Sequence, residues 1–133
     1  MNNLPLLRQA CPPGTCICRR DELLEEPGAD LRILRLTRHE EQRLLERLEN
    51  IRSLADLERL QQRMYDQLGI RLNIRPSHNE VRSMRGITID FVEQPGLCRK
   101  TRQAIPAAIR RGLQRQPEIA YRLLDAHDLL RDA

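Results

Sequence analysis

The chain has 133 residues, of which 40% are hydrophobic and 32% are charged, and its formal net charge is +4. A chain of this length is expected to form one domain, and its leucines and isoleucines fall in periodic runs, which argues against a disordered protein. No apolar run approaches the ~20 residues that span a bilayer, and the first residues lack the basic and apolar parts of a signal peptide. We therefore expect a cytoplasmic protein that does not enter a membrane.

The N-terminal part predicts an irregular arm over residues 1–30, which belongs to the same unit as an α+β domain over residues 31–133. The run DELLEE predicts one or two helical turns, and the dipeptide of Pro27 and Gly28 ends them. The segment LRILRL at 31–36 alternates apolar residues with arginine. That alternation predicts a short strand.

Two helices follow. Thr37 and Glu40 form a capping-box pattern at the start of the first, and its apolar stripe holds Leu44, Leu45, Leu48 and Ile51. Ser53 is a good N-cap for the second helix, and Gly69 is a typical left-handed stop after it. Because only about three residues connect the two helices, we predict an antiparallel helical hairpin.

The apolar period then changes from helical to two. The segments IRLNIR at 70–75 and GITIDF at 86–91 each place an apolar residue, isoleucine, leucine or phenylalanine, at every second position, which predicts strands. A long loop or extended hairpin separates them. Two more helices follow, one with Pro106 at its first position and one beginning at Pro117. The predicted fold is a helical hairpin and a C-terminal helix pair packed around a small two- or three-stranded, mostly antiparallel sheet.

The four cysteines are candidate metal ligands. Three lie in the stretch CPPGTCICRR, and four thiolates together satisfy tetrahedral zinc or an iron–sulfur cluster. The C-x4-C-x-C spacing is one residue shorter than the plant-type ferredoxin pattern and lacks the C-x2-C of structural zinc sites. A reactive thiol and purely structural cysteines therefore stay open as alternatives. The candidate ligands are Cys11, Cys16, Cys18 and Cys98.

The tetrapeptide Pro-Gly-x-Cys occurs twice, at 13–16 and at 95–98. Proline followed by glycine favours a tight turn, whose amides can point toward the following sulfur and stabilise a thiolate. Basic residues come directly after both cysteine segments: Arg19, Arg20, Arg99 and Lys100. The repeat predicts that the N-terminal arm packs against the start of the basic helix.

Residues 99–115 carry a local charge of +6, which exceeds the +4 of the whole chain. An amphipathic helix rich in arginine fits an acidic protein surface or a nucleic acid, and it is equally explained as a solvated helix face. The scarcity of aromatic residues argues against base stacking on single strands. The bias toward arginine, with Lys100 as the sole lysine, is that of a GC-rich bacterial genome. The candidate partner-binding residues are Arg99, Lys100, Arg102, Arg110, Arg111 and Arg115.

The sequence contains no G-x-S-x-G, Walker A, G-x-G-x-x-G or H-E-x-x-H motif. Its three histidines are scattered: His39 at a helix start, His78 in a turn and His127 in the last helix. We expect a small non-catalytic binding or adaptor domain that engages an acidic partner through the basic helix. The alternative is a zinc or iron–sulfur protein that uses the four cysteines.

Overall fold

The computed structural model describes residue 8 and residues 18–76 and 87–126 of the chain. In that part, five α-helices, one 3-10 helix and a two-stranded antiparallel sheet enclose one apolar core. The predicted α+β architecture is confirmed. None of the helices in the described ranges is both long and apolar enough to span a membrane.

The first described elements are helix α1, Arg20–Glu25, and a 3-10 helix, Arg32–Arg35. Gly28 ends the α1 region with a φ of 75°, as the Pro-Gly dipeptide predicts. The predicted strand at 31–36 is wrong. The side chain of Asp30 accepts a hydrogen bond of 3.1 Å from the Arg32 amide, which starts a tight turn, and the adjacent Ile33 and Leu34 are both buried. A strand with one buried face cannot bury two consecutive side chains.

Helices α2, Arg38–Glu49, and α3, Leu54–Leu68, begin at the predicted caps. The Thr37 hydroxyl accepts from the Glu40 amide at 3.3 Å, and the Ser53 hydroxyl accepts from the Asp56 amide at 3.1 Å. Gly69 ends α3 with a φ of 71°. These local contacts lie within a few residues of each other, which is why the sequence predicts them.

The sheet pairs β1, Leu72–Pro76, with β2, Ile87–Phe91, in antiparallel register. Ile74 lies opposite Ile89, and Leu72 lies opposite Phe91. The Gln61 amide of α3 donates a hydrogen bond of 2.6 Å to the Leu72 carbonyl, which ties the helix to the strand. The predicted loop between the strands falls outside the described residues.

The last two described helices are α4, Arg99–Arg115, and α5, Pro117–Ala126, separated by Gln116 alone. Helix α4 starts seven residues earlier than predicted, so Pro106 lies inside it. Cys98 is the N-cap residue, and its carbonyl accepts from the Arg102 amide at 2.9 Å. Pro106 lacks the N–H that would bond the Arg102 carbonyl, but burial of Thr101 and Ile105 holds the first turns on the core.

Helix α2 packs most extensively on α4. Gly112 makes the close approach possible, because a Cβ atom there would lie 2.5 Å from the Leu48 carbonyl oxygen. The fully buried side chains around this contact include Leu48, Ile51, Ile109 and Leu113. The α2–α4 contact is therefore the most extensive contact between two described helices, and the opposite face of α2 is directed toward α3.

Candidate binding groove

Two of the four predicted metal ligands, Cys11 and Cys16, lie outside the described residues. Cys18 is buried and Cys98 is half-buried. The Gly96 amide donates a hydrogen bond of 2.5 Å to the Cys18 carbonyl, so the arm does pack against the turn that precedes α4. In the described ranges no cluster of three histidine, cysteine, aspartate or glutamate side chains could hold a metal ion. The metal site stays a prediction.

A cation that the sequence did not indicate lies beside the Cys18 thiol. Arg8 Nη2 lies 3.8 Å from Cys18 Sγ, and the Arg20 side chain donates to the Arg8 carbonyl at 3.0 Å. Arg8 also donates its amide to the Leu34 carbonyl at 2.6 Å. The residue therefore ties the arm to the core, and its distance from Cys18 in the sequence explains why proximity along the chain did not reveal it.

The basic residues of α4 divide into two groups. Arg111 forms an ion pair of 2.6 Å with Glu49, and Arg115 donates at 3.3 Å to the Glu49 carbonyl and to the Asn50 side chain. Arg102 lies 3.4 Å from Glu93. These three arginines hold α4 against its own neighbours, and Arg111 and Arg115 fix it to the end of α2. Arg99, Lys100 and Arg110 are the exposed remainder.

A groove of about 740 Å³ separates α2 from α3, with the 3-10 helix at one end. Residues near the start of α2 line it together with residues near the end of α3, as an antiparallel hairpin requires. Its floor is apolar: Leu36, Leu44, Leu60, Met64 and Leu68. Leu36, Leu60 and Met64 are buried, whereas Leu44 and Leu68 are partly open to solvent.

Four arginines surround this floor: Arg35, Arg43, Arg47 and Arg63. The lining contains one carboxylate, Glu40, which lies 3.8 Å from Arg43 in an exposed ion pair. Arg35 and Arg63 are exposed and form no side-chain hydrogen bond or ion pair with any other described residue. We call this feature, the five apolar residues and the four arginines, the arginine-rimmed groove. Its walls are cationic, and its floor is apolar.

Arg47 spans the two helices near the turn. Its Nη2 atom lies 2.5 Å from Asp56 Oδ1, and Asp56 Oδ2 accepts from the Arg52 amide at 3.0 Å. The hydrogen bond from Arg47 holds the pKa of Asp56 below its usual value of 3.8, against the opposing effect of burial. This pair joins α2 and α3 at the closed end of the hairpin, so the open part of the groove lies farther from the turn.

His39 lines the groove and is exposed. His78 and His127 lie outside the described residues. The groove therefore offers guanidinium groups and aliphatic side chains to a ligand. That combination can hold a carboxylate or phosphate beside an apolar group.

No protein-family model, curated protein or solved structure matches this chain. The site is therefore interpreted from its own geometry.

Sequence reasoning missed this groove because it assigned the leucines of both helices to the core. A signal was present in part. Arg43 and Arg63 flank apolar residues on both helices. Which leucines are left in the groove depends on how far apart the helices lie, and no local pattern encodes that distance.

Proposed function

We propose that this chain is a small non-catalytic binding domain that holds an acidic partner in the arginine-rimmed groove. The single observation that carries the proposal is the pair of exposed arginines, Arg35 and Arg63, beside partly open leucines, neither of them in a hydrogen bond or ion pair with a carboxylate of the described residues. Guanidinium groups need solvent or an anion, whereas exposed leucines gain from contact with other apolar groups, and a ligand with both features would satisfy both. An acidic partner would supply anions for the rim.

The partner class left open here is protein or nucleic acid. The experiment measures association of the full chain with poly-L-glutamate and with single-stranded and duplex DNA, at low and at physiological ionic strength. We expect salt-sensitive binding to at least one polyanion that the double variant R35E/R63E weakens roughly tenfold or more. A polyanion complex that the double variant leaves intact would rule out the groove as its site.

The matched control is the exposed part of α4. Arg99 and Arg110 lie three turns apart on one side of that helix, with Lys100 next to the first, and they remain a second position for the acidic partner. The triple variant R99E/K100E/R110E adds more negative charge than the groove variant. If it abolishes binding and R35E/R63E does not, the acidic partner binds α4 as the sequence predicts.

A second candidate function is metal binding by the cysteines in a reducing, cytoplasmic compartment. The hydrogen bond between Gly96 and Cys18 supports it, because this bond joins two segments that each carry a candidate ligand. Anaerobic purification with elemental analysis and an absorption spectrum tests it. Stoichiometric zinc or iron that C98S removes is the expected result, and a metal-free, folded protein contradicts it.

A further inference from the structure

The dimensions of the arginine-rimmed groove match an α-helix of about two to three turns. On α3 the floor extends from Leu60 to Leu68, which is about 12 Å at a rise of about 1.5 Å per residue. The apolar stripe of an amphipathic helix, at positions i, i+3, i+4 and i+7, extends over about 10 Å. One such stripe would cover the partly open faces of Leu44 and Leu68.

The rim determines the charge of such a helix. Arg43 and Arg47 lie on the α2 wall, Arg63 lies on the α3 wall, and Arg35 lies at the end formed by the 3-10 helix. A helix in the groove would therefore meet guanidinium groups on both sides of its apolar stripe, those of Arg43 and Arg47 being already paired with Glu40 and Asp56. Asp or Glu residues flanking the stripe would form charge-assisted hydrogen bonds chiefly with Arg35 and Arg63.

The floor disfavours nucleic acid as the occupant. The described lining contains no phenylalanine, tyrosine or tryptophan on which a base could stack, and its one aromatic ring is the smaller imidazole of His39. The nearby Tyr65 lies outside the lining, with the guanidinium carbons of Arg32 and Arg71 at 5.4 and 5.7 Å from its ring centroid. Leucine and methionine side chains gain little from phosphate or sugar, but they gain from burial against another apolar side chain.

We infer that the arginine-rimmed groove binds an acidic amphipathic helix of a partner protein. This inference rests on the proposed function and names its partner class. The helix places apolar residues at i, i+3 or i+4, and i+7 on the floor formed by Leu44, Met64 and Leu68. It places carboxylates against Arg35 and Arg63, the two rim arginines that form no side-chain hydrogen bond or ion pair with a described residue.

The test is a phage-display selection against the immobilised full chain. The library presents random peptides long enough to form four helical turns. A parallel selection uses a random single-stranded DNA library. We expect the enriched peptides to share the apolar period of three to four residues with Asp or Glu on both sides of it. A synthetic copy of the most enriched peptide should lose binding when its residue order is scrambled. It should also lose binding when proline replaces a central residue, since proline breaks the helix.

Two variants locate the site. R35E/R63E and L44D should each weaken the selected peptide roughly tenfold or more. The control L24D introduces the same charge at an exposed leucine on α1 and should leave affinity within about twofold. If L44D unfolds the domain, as judged by circular dichroism, R35E/R63E decides the result on its own, because both of its side chains are exposed.

The outcomes separate the two proposals. If acidic peptides without an apolar period, or DNA, are enriched and R35E/R63E abolishes their binding, the acidic-partner function stands and the helical partner is wrong. If enriched ligands bind R35E/R63E and L44D as well as the original chain, or if no acidic ligand is enriched, both proposals are wrong.

Discussion

Helix α2 has two faces, and the domain uses them in opposite ways. Toward α4, Leu48 is fully buried and Gly112 lets the backbones approach closely. Toward α3, Leu44 stays partly open at the floor of a groove of about 740 Å³. Leucine occurs on both faces, so hydrophobicity alone does not decide which contact closes.

The charges explain the difference. On the α4 side, Arg111 meets Glu49 at 2.6 Å, so a cation there has a partner. On the α3 side, Arg43 and Arg63 line facing walls. Closing the groove would bring the Arg43 and Arg63 guanidinium groups together and remove their water, and this cost opposes the gain from burying two half-exposed leucines. Helix α2 therefore packs closely on α4, whereas its side toward α3 stays partly open.

The largest expected effect on the free energy of unfolding distinguishes the side of α2 that packs on α4 from the side that faces α3. Leu48→Ala should lower the free energy of unfolding by about 3 kcal/mol, because it leaves a cavity in the closed contact. Leu44→Ala should lower it by about 1 kcal/mol or less, because that side chain already touches solvent. Urea unfolding followed by circular dichroism measures both. Equal losses would mean that the groove is closed in solution.

Gly112→Ala tests the closeness of the α2–α4 contact. The added Cβ would meet the Leu48 carbonyl oxygen, a backbone atom that cannot rotate away, so we expect a loss of about 2 kcal/mol. Alanine in place of glycine on an uncrowded helix face would instead stabilise the fold by about 1 kcal/mol. Gln114→Ala, exposed on the same helix, is the control, with an expected change within about 0.5 kcal/mol. A stabilised Gly112→Ala variant would show that the helices lie farther apart.

Asp56→Asn tests the joint at the closed end of the groove. The variant keeps the shape of the side chain but loses the negative charge. That charge strengthens the hydrogen bonds that the Asp56 oxygens accept from Arg47 and from the Arg52 amide. We expect the free energy of unfolding to fall by between about 1 and 2 kcal/mol in urea titrations. Asp21→Asn serves as the control, since its exposed pair with Arg20 contributes little. Equal effects of the two variants would contradict a structural role for the Arg47–Asp56 pair.

The same pair predicts a dependence of stability on pH. Arg47 lowers the pKa of folded Asp56 below the value of 3.8 that the unfolded chain shows, and Arg32 does the same for Asp30. Both carboxylates therefore stabilise the fold above about pH 4, and this contribution is lost as the pH falls through the lowered folded pKa. Unfolding between about pH 6 and about pH 3 should show a smaller loss for Asp56→Asn than for the original chain. An identical decline would assign the effect to other carboxyl groups.

The smallest effects compare arginines on the two faces. Arg111→Ala should cost up to about 1 kcal/mol, since it breaks the ion pair with Glu49. Arg63→Ala should change the free energy of unfolding by less than about 0.5 kcal/mol, because its side chain has no described partner. Thermal unfolding of the two single variants measures the difference. A clear loss in Arg63→Ala would mean that the groove arginines serve the fold rather than a ligand.

Local chemistry predicted much of the fold. The caps at Thr37 and Ser53 and the stop at Gly69 depend on residues a few positions apart, and the structure has all three. One error occurred where a local contact and a distant one act together. Residues Arg32–Arg35 form a 3-10 helix in which the Asp30 side chain accepts from the Arg32 amide, and the Arg32 side chain reaches the carbonyls of Tyr65 and Asp66, at 3.0 and 3.2 Å.

In the candidate sites, too, some features were predicted from the sequence and others depend on contacts between distant residues. Sequence proximity grouped six cations on 99–115, but three of them form intramolecular contacts with Glu49, Asn50 and Glu93. The repeated Pro-Gly-x-Cys predicted that the N-terminal arm packs against the start of the basic helix, and the hydrogen bond from Gly96 to Cys18 places this residue of the arm against the turn before that helix. Gly96 has a φ of 90°, and a Cβ there would lie 2.6 Å from Ile33, so glycine is required at this turn.

The sequence by itself determined most of the elements of this protein, although not the 3-10 helix or the start of α4, because capping, apolar period and turn residues act over a few positions. It also determined the charge pattern and the available thiols. Only the tertiary structure decided which charged residues pair with each other and which remain for a partner. That choice depends on the spacing of α2 from α3 and α4, which follows from a glycine at one contact and like charges at the other.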